Sequence, residues 1–167
     1  MICACTGSRP ANFPWDYYGI AHARYKSLLR AELRALAENG VEEFISGMAM
    51  GADIDIAEEV LALKNEYPYL RLVCMIPFKG QDKCYPESWK LRYKDVLSRA
   101  DEAKVLNEEY NPHCFHARNR LMVDKADMLF AVWNGKQTGG TAYTIKYAMK
   151  TNKDVRLFNL EDCTWSE

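Results

Sequence analysis

Leu70-Arg71-Leu72-Val73-Cys74-Met75-Ile76, closed by Pro77, is an almost unbroken apolar run of strand length. A strand with one face in water alternates apolar and polar residues. A run that stays apolar is covered on both faces, as in a parallel sheet. Working outward from it, short apolar runs and helical patterns take turns along the chain. Ile2–Thr6 predicts a first strand, and Tyr25, Leu29, Leu33 and Leu36 then recur at helical spacing until Asn39-Gly40. Glu43–Ser46 predicts a second strand, followed by a helix with Ile54, Ala57, Val60 and Leu61 on one face. Beyond Pro77 come a helix from Pro86 to about Arg99, a strand at Ala103–Leu106, and a helix from about Phe115 to Lys125. Met128–Trp133 is a firm strand, Gly139-Gly140-Thr141 opens a long helix, and Val155–Phe158 closes the pattern. Strict alternation of strand and helix predicts one α/β domain over residues 1–160, a doubly wound and mainly parallel sheet with helices on both faces. Residues 161–167 carry no structural signal and read as a tail.

The whole-chain quantities agree with this. The 167 residues suffice for one domain with a sizeable core, and 49% hydrophobic with 27% charged residues is ordinary globular composition. A net charge of −1 argues against a broad electrostatic grip on nucleic acid or an anionic membrane. No apolar run approaches the ~20 residues of a membrane helix, and the N-terminus reads as a strand rather than a secretory signal. Six cysteines without a Cys-x-x-Cys pair fit free thiols in a reducing cytoplasm. His113-Cys114-x-His116 has ligand spacing, but no second ligand set accompanies it, so neither a metal nor another resident cofactor is expected.

In a doubly wound sheet, ligands bind where strand carboxyl ends meet helix amino ends. Five segments fall there: Thr6–Pro10, Ser46–Asp53, Pro77–Gln81, His113–Arg120 and Trp133–Thr141. Thr6, Gly7, Ser8 and Arg9 combine close backbone approach, hydroxyls and an anion-binding fork, or else form a surface turn. Ser46, Gly47 and Asp53 belong to a glycine-bearing turn before a helix, with Asp53 either a ligand contact or a helix cap. The run Gly135 to Thr141, with Gly139, Gly140 and Thr141 at the helix mouth, gathers donors suited to phosphate. Trp133 just before it either stacks on a flat ring or belongs to the core. Arg118-Asn119-Arg120 places cations in the opening turns of a helix, against its dipole. A bound anion would relieve that penalty, and so would exposure to water.

These segments, with Ile76-Pro77-Phe78-Lys79-Gly80-Gln81, together resemble the YpsA-like branch of the SLOG superfamily over about residues 1–160, in order and at suitable spacing. The resemblance implies a Rossmann-like fold and kinship with the LOG phosphoribohydrolases, the DNA-processing protein DprA, and sensors of nucleotide-derived signals. LOG enzymes pair an arginine with a glutamate in a Pro-Gly-Gly-x-Gly-Thr-x-x-Glu motif. Arg118 looks like that arginine and Gly140-Thr141 like the Gly-Thr, but Thr144 stands at the glutamate position. A threonine can neither act as a carboxylate acid nor stabilise an oxocarbenium-like sugar by charge. Glu108, Glu109 and Asp53 are the candidate substitutes. The Arg-Asn-Arg run also resembles that of DprA, which implies single-stranded DNA binding, and the net charge weighs against it.

The leading expectation is a pocket for a nucleotide or ADP-ribose-like molecule, lined by Thr6, Gly7, Ser8, Arg9, Ser46, Gly47, Asp53, Arg118, Asn119, Trp133, Gly139, Gly140 and Thr141. Two alternatives stand beside it: hydrolysis of nucleoside 5′-monophosphates at the N-glycosidic bond, with Arg118 in the catalytic set, and a protein-interaction module with a vestigial pocket. Self-association into a homo-oligomer is a further expectation, taken from SLOG relatives.

Overall fold

The pleat of the first strand, β1 (Ile2–Gly7), sorts its side chains to opposite faces: Cys3 and Cys5 enter one core and Ala4 the other. In the computed structural model, which describes residues 1–163, β1 sits inside a six-stranded sheet. The other strands are β2 (Glu43–Ser46), β3 (Arg71–Ile76), β4 (Glu102–Val105), β5 (Met128–Trp133) and β6 (Asp154–Asn159). The spatial order is β4-β3-β2-β1-β5-β6 and every pairing is parallel. Consecutive positions Leu72 to Ile76 in β3 are all buried, as its apolar run requires.

Right-handed crossovers decide where the helices lie. From β1 the chain steps outward to β4 through α1 (Ile20–Glu38), α2 (Ala52–Leu63) and α3 (Glu87–Arg99), which share the larger core. It then crosses back to β5, beside β1, through α4 (Cys114–Lys125), and continues to β6 through α5 (Gly140–Lys150). These two helices cover the opposite face with Met122, Val123, Ile145 and Ala148. Tyr25, Leu29, Leu33 and Ala37 form the buried stripe of α1, four residues apart, as helical periodicity demands.

Most strand and helix limits lie within a residue or so of the sequence expectation, but α1 begins at Ile20, five residues before the first stripe residue Tyr25, and three 3-10 turns (Pro10–Asn12, Gln81–Cys84 and Leu160–Cys163) had no periodic signal. The last one extends the core beyond Asn159, because Leu160 and Cys163 are buried against the larger cluster. Of the expected tail, residues 164–167 lie outside the described residues. No helix among the described residues is long and apolar enough to cross a membrane.

A buried ionic knot ties the loop before α1 to α2 and α3. Asp55 is fully buried; its Oδ1 accepts hydrogen bonds from the Tyr17 hydroxyl at 2.6 Å and from Arg92 at 2.8 Å. His22 Nε2 lies 3.3 Å from its Oδ2, and Trp15 donates to His22 Nδ1 at 3.2 Å. These partners hold the Asp55 carboxyl below its usual range although burial pushes it up.

Candidate functional site

The strand order reverses between β1 and β5, so the loops that leave their carboxyl ends diverge to opposite faces and open a crevice. A cavity of about 290 Å³ occupies it. Its walls come from the β1–α1 loop, the start of α2, the first turns of α4, and the β5–α5 loop.

Backbone stitching brings these walls together. The Ser8 amide donates to the Val132 carbonyl at 2.9 Å, and the Ser8 carbonyl accepts from the Ala52 amide at 3.0 Å. Asn134 donates to the Asn12 carbonyl at 3.2 Å, and the Lys136 ammonium donates to Asn12 Oδ1 at 3.1 Å. The two loops on either side of the switch are therefore one rim.

Eleven of the thirteen sequence-predicted residues line the cavity: Thr6, Gly7, Ser8 and Arg9 on one side, Asp53, Arg118 and Asn119 at the base, and Trp133, Gly139, Gly140 and Thr141 on the other. The side chains of Thr6, Ser8, Arg9, Thr138 and Thr141 make no hydrogen bond or ion pair among the described residues. Polar groups left unengaged around a concavity are what a ligand needs. The amino end of α5 adds backbone amides and a positive dipole end, with no acidic residue in its first turn and no side-chain cap.

Ser46 and Gly47 do not line the cavity; they shape what does. The Ser46 hydroxyl donates to the Asp53 carbonyl at 3.0 Å and accepts from the Met48 amide at 3.2 Å. Gly47 lies flat against the Arg118 guanidinium, where an added Cβ would sit 2.6 Å from Cζ. Arg118 is only 3% exposed. Its Nη1 donates to the carbonyls of Gly47 and Met75, and its Nε donates to Asn119 Oδ1 at 2.7 Å. This arginine pins the ends of β2 and β3 while one side of it borders the cavity. Gln81 and Tyr85 secure the same turn, donating to the carbonyls of Gly47 and Met48.

Asp53 is the single carboxylate among the cavity-lining described residues, and it is 5% exposed. Its Oδ2 accepts from the Ala49 amide at 3.2 Å, so it ties back the preceding loop, while its Oδ1 has no hydrogen-bond partner. Burial pushes this carboxyl above the usual range, against the pull of the Arg118 charge, the Ala49 amide, the Arg9 charge and the nearby Gly7 amide. Burial likewise lowers Arg118, with the Asp53 charge opposing, yet the guanidinium spends its hydrogen bonds on Gly47, Met75 and Asn119 rather than on Asp53. A guanidinium starts so high that it stays charged at neutral pH.

Other sequence candidates go elsewhere. Thr144 is buried and its hydroxyl donates to the Gly140 carbonyl at 2.8 Å, inside α5. Glu108 and Glu109 are not part of the wall. Arg120 donates to the Tyr143 hydroxyl at 2.7 Å while Arg118 is buried against the Gly47 and Met75 carbonyls, so the two cations form no common patch. Asn12 was invisible to the sequence reading; a 3-10 turn places it, and no motif marks that turn. Phe115, His116, Asn134, Lys136 and Thr138 come from the flagged segments but lie outside the thirteen expected ligand contacts. Among the described residues, no three His, Cys, Asp or Glu side chains converge as metal ligands.

The family description YspA SLOG family (YpsA) matches residues 6–162 of this chain. The chain belongs to that SLOG family. Similar curated proteins carry the name UPF0398 protein. One from Bacillus pumilus (strain SAFR-032) is 34% identical over 167 residues, covering 96% of this chain and 89% of the relative. Others, from Bacillus thuringiensis (strain Al Hakam) and Bacillus cereus (strain Q1), are 30% identical over 154 residues, covering 89% and 83%. Membership fixes the SLOG architecture for nearly the whole chain, and the match takes in every wall of the cavity.

Proposed function

We propose that this SLOG domain binds a nucleotide-derived small molecule in the switch-point cavity. The observation that carries the reading is Asp53 Oδ1, a buried acceptor without a partner beside a cluster of unengaged donors. A buried carboxylate oxygen left unbonded costs free energy, and a ligand hydroxyl would satisfy it. Arg9 and the amides at the start of α5 suit a phosphate. A hydroxyl-bearing ring with a phosphate attached is a sugar phosphate, and half-buried Trp133 offers a flat wall for a base.

Titration calorimetry with adenosine monophosphate on the wild type and Arg9→Ala tests this. The Arg9 side chain is exposed and makes no hydrogen bond or ion pair among the described residues, so its truncation leaves the fold intact. Loss of one charge-assisted phosphate contact should weaken binding about tenfold. Equal affinity for both proteins, or no binding to the wild type by adenosine monophosphate, ADP-ribose or NAD, rejects the reading.

A second reading rests on the same carboxyl. With Thr144 unable to supply an acid, a raised Asp53 is the one carboxyl among the described cavity-lining residues to protonate a leaving base during N-glycosidic hydrolysis. Chromatography of the incubated nucleotide separates the two: intact ligand supports binding, and free base with ribose phosphate supports hydrolysis.

A further inference from the structure

Residues 13–19 run from the cavity rim to α1 without helix or strand, and side chains hold them in place. Phe13 makes edge-on contacts with Trp15, Tyr17, His22 and Tyr25, with ring centroids 5.2 to 5.8 Å away. It directly follows Asn12, whose carbonyl and Oδ1 accept from Asn134 and Lys136 and so fasten the two rim loops together. What loosens this aromatic cluster therefore loosens the rim.

His22 is buried at the centre of the cluster between two unlike partners. Its Nδ1 accepts the Trp15 indole N–H at 3.2 Å. Its Nε2 lies 3.3 Å from Asp55 Oδ2, at ion-pair distance, yet neither of these two atoms makes a hydrogen bond. A neutral imidazole can accept at Nδ1, whereas a protonated one carries N–H on both nitrogens. A proton taken up at Nδ1 would set that donor against the Trp15 donor while the new charge is drawn to Asp55. The two contacts thus belong to different protonation states: neutral His22 holds Trp15, and charged His22 holds Asp55. From these contacts we propose that His22 is a proton-operated latch, whose protonation expels the Trp15 indole and opens the rim at Asn12. Resting on the nucleotide reading above, acid then weakens binding in the cavity.

The surroundings leave the choice to this ring. Trp15 and Tyr17 face it from the β1–α1 loop, Tyr25 and Lys26 from α1, Asp55 from α2 and Arg92 from α3, with the Cys163 thiol beyond Tyr25. Tyr17 and Arg92 occupy Asp55 Oδ1, with Lys26 3.6 Å from it, so Oδ2 is the oxygen left for an imidazolium. Lys26 also pairs with Glu58 and Glu59, and Arg92 with Glu58, which balances both cations away from the ring. Burial pushes the Tyr17 and Tyr25 hydroxyls up; it pushes Asp55 up as well, but there the partners outweigh it and hold the carboxyl low. Of the residue types gathered here, histidine is the one that changes charge between about pH 5 and 8.

The test follows the ligand-free protein by nitrogen–proton correlation NMR from about pH 8 to 5. The Trp15 indole signal, identified by its loss in Trp15→Phe, should move with a midpoint shared by the backbone amides of Asn12 and Lys136. All three signals should hold still in His22→Gln. In Trp15→Phe, which keeps a ring but has no indole donor to expel, the two amides should hold still too. Neither substituted residue lines the cavity. Calorimetry with adenosine monophosphate at the two ends of the range reads the coupling. The wild type should lose about fivefold or more in affinity beyond the loss in His22→Gln. Protonation of the phosphate is common to both proteins and cancels in that comparison. A Trp15 signal that stays in place, or that moves without the Asn12 and Lys136 amides, overturns the latch. So does an equal pH dependence of binding in the wild type and His22→Gln. If adenosine monophosphate binds neither protein at either pH, the nucleotide reading loses its support, and the three NMR signals still decide the latch.

Discussion

Gly139 and Gly140 are adjacent in sequence, yet alanine should act on them in opposite directions. Gly139 has φ 94° and ψ 179°, a region open essentially to glycine alone. A side chain there strains the backbone by about 1–3 kcal/mol, so Gly139→Ala should lose that much stability. Gly140, the first residue of α5, has no positive φ and clear space around an added Cβ. Alanine at a compatible glycine position stabilises by roughly 0.4–1 kcal/mol, mainly by restricting the unfolded chain. For a chain of this length that is a rise of about 1–4 °C in Tm. Gly140 lines the cavity and a methyl there takes up room beside it, so Gly140→Ala should gain stability while losing affinity for adenosine monophosphate by about tenfold or more. Thermal unfolding and calorimetry on the two variants suffice as the assay. A Gly140→Ala protein that is less stable, or that binds as the wild type does, would refute the argument that a ligand occupies this space.

The remaining predictions concern the buried polar groups. Gly47→Ala forces the Arg118 guanidinium off the Gly47 and Met75 carbonyls and should cost roughly 2–3 kcal/mol in urea unfolding. Arg118→Ala should destabilise by a similar roughly 2–3 kcal/mol besides weakening binding, so Arg9 is the cleaner probe of anion recognition. Asp53 and Asp55 should give opposite pH dependences in the ligand-free protein. The Asp53 carboxyl is raised, so its contribution to stability is lost as pH rises from about 3.8 through the folded value. Asp53→Asn should therefore be more stable than the wild type at pH 7, with the gap closing on acidification. Asp55 is lowered, so its contribution is present above 3.8 and lost as pH falls through the folded value. Asp55→Asn should be less stable at pH 7 by roughly 2 kcal/mol or more, a gap that narrows in acid. Urea unfolding across pH 3 to 7 checks both signs.

The sequence by itself determined the alternation of strands and helices, because burial on both faces of β3 and the four-residue stripe of α1 are properties of local spacing. It also marked most of the cavity wall, because in a doubly wound sheet the strand ends that meet helix mouths can be counted along the chain. Local spacing carries no information about which distant groups satisfy one another. That Arg118 is spent on the Gly47 and Met75 carbonyls, that Asp53 keeps one oxygen unpaired, and that Asn12 joins the rim through Lys136 all depend on loops brought together only by the switch in strand order. The same holds for His116 and Tyr143, 27 positions apart on α4 and α5, whose rings meet only once those helices pack on one face of the sheet. Periodicity fixes what each segment becomes; three-dimensional closure decides which polar groups are left over for a ligand, since a buried donor or acceptor must be paired and its partner is chosen by space rather than sequence distance.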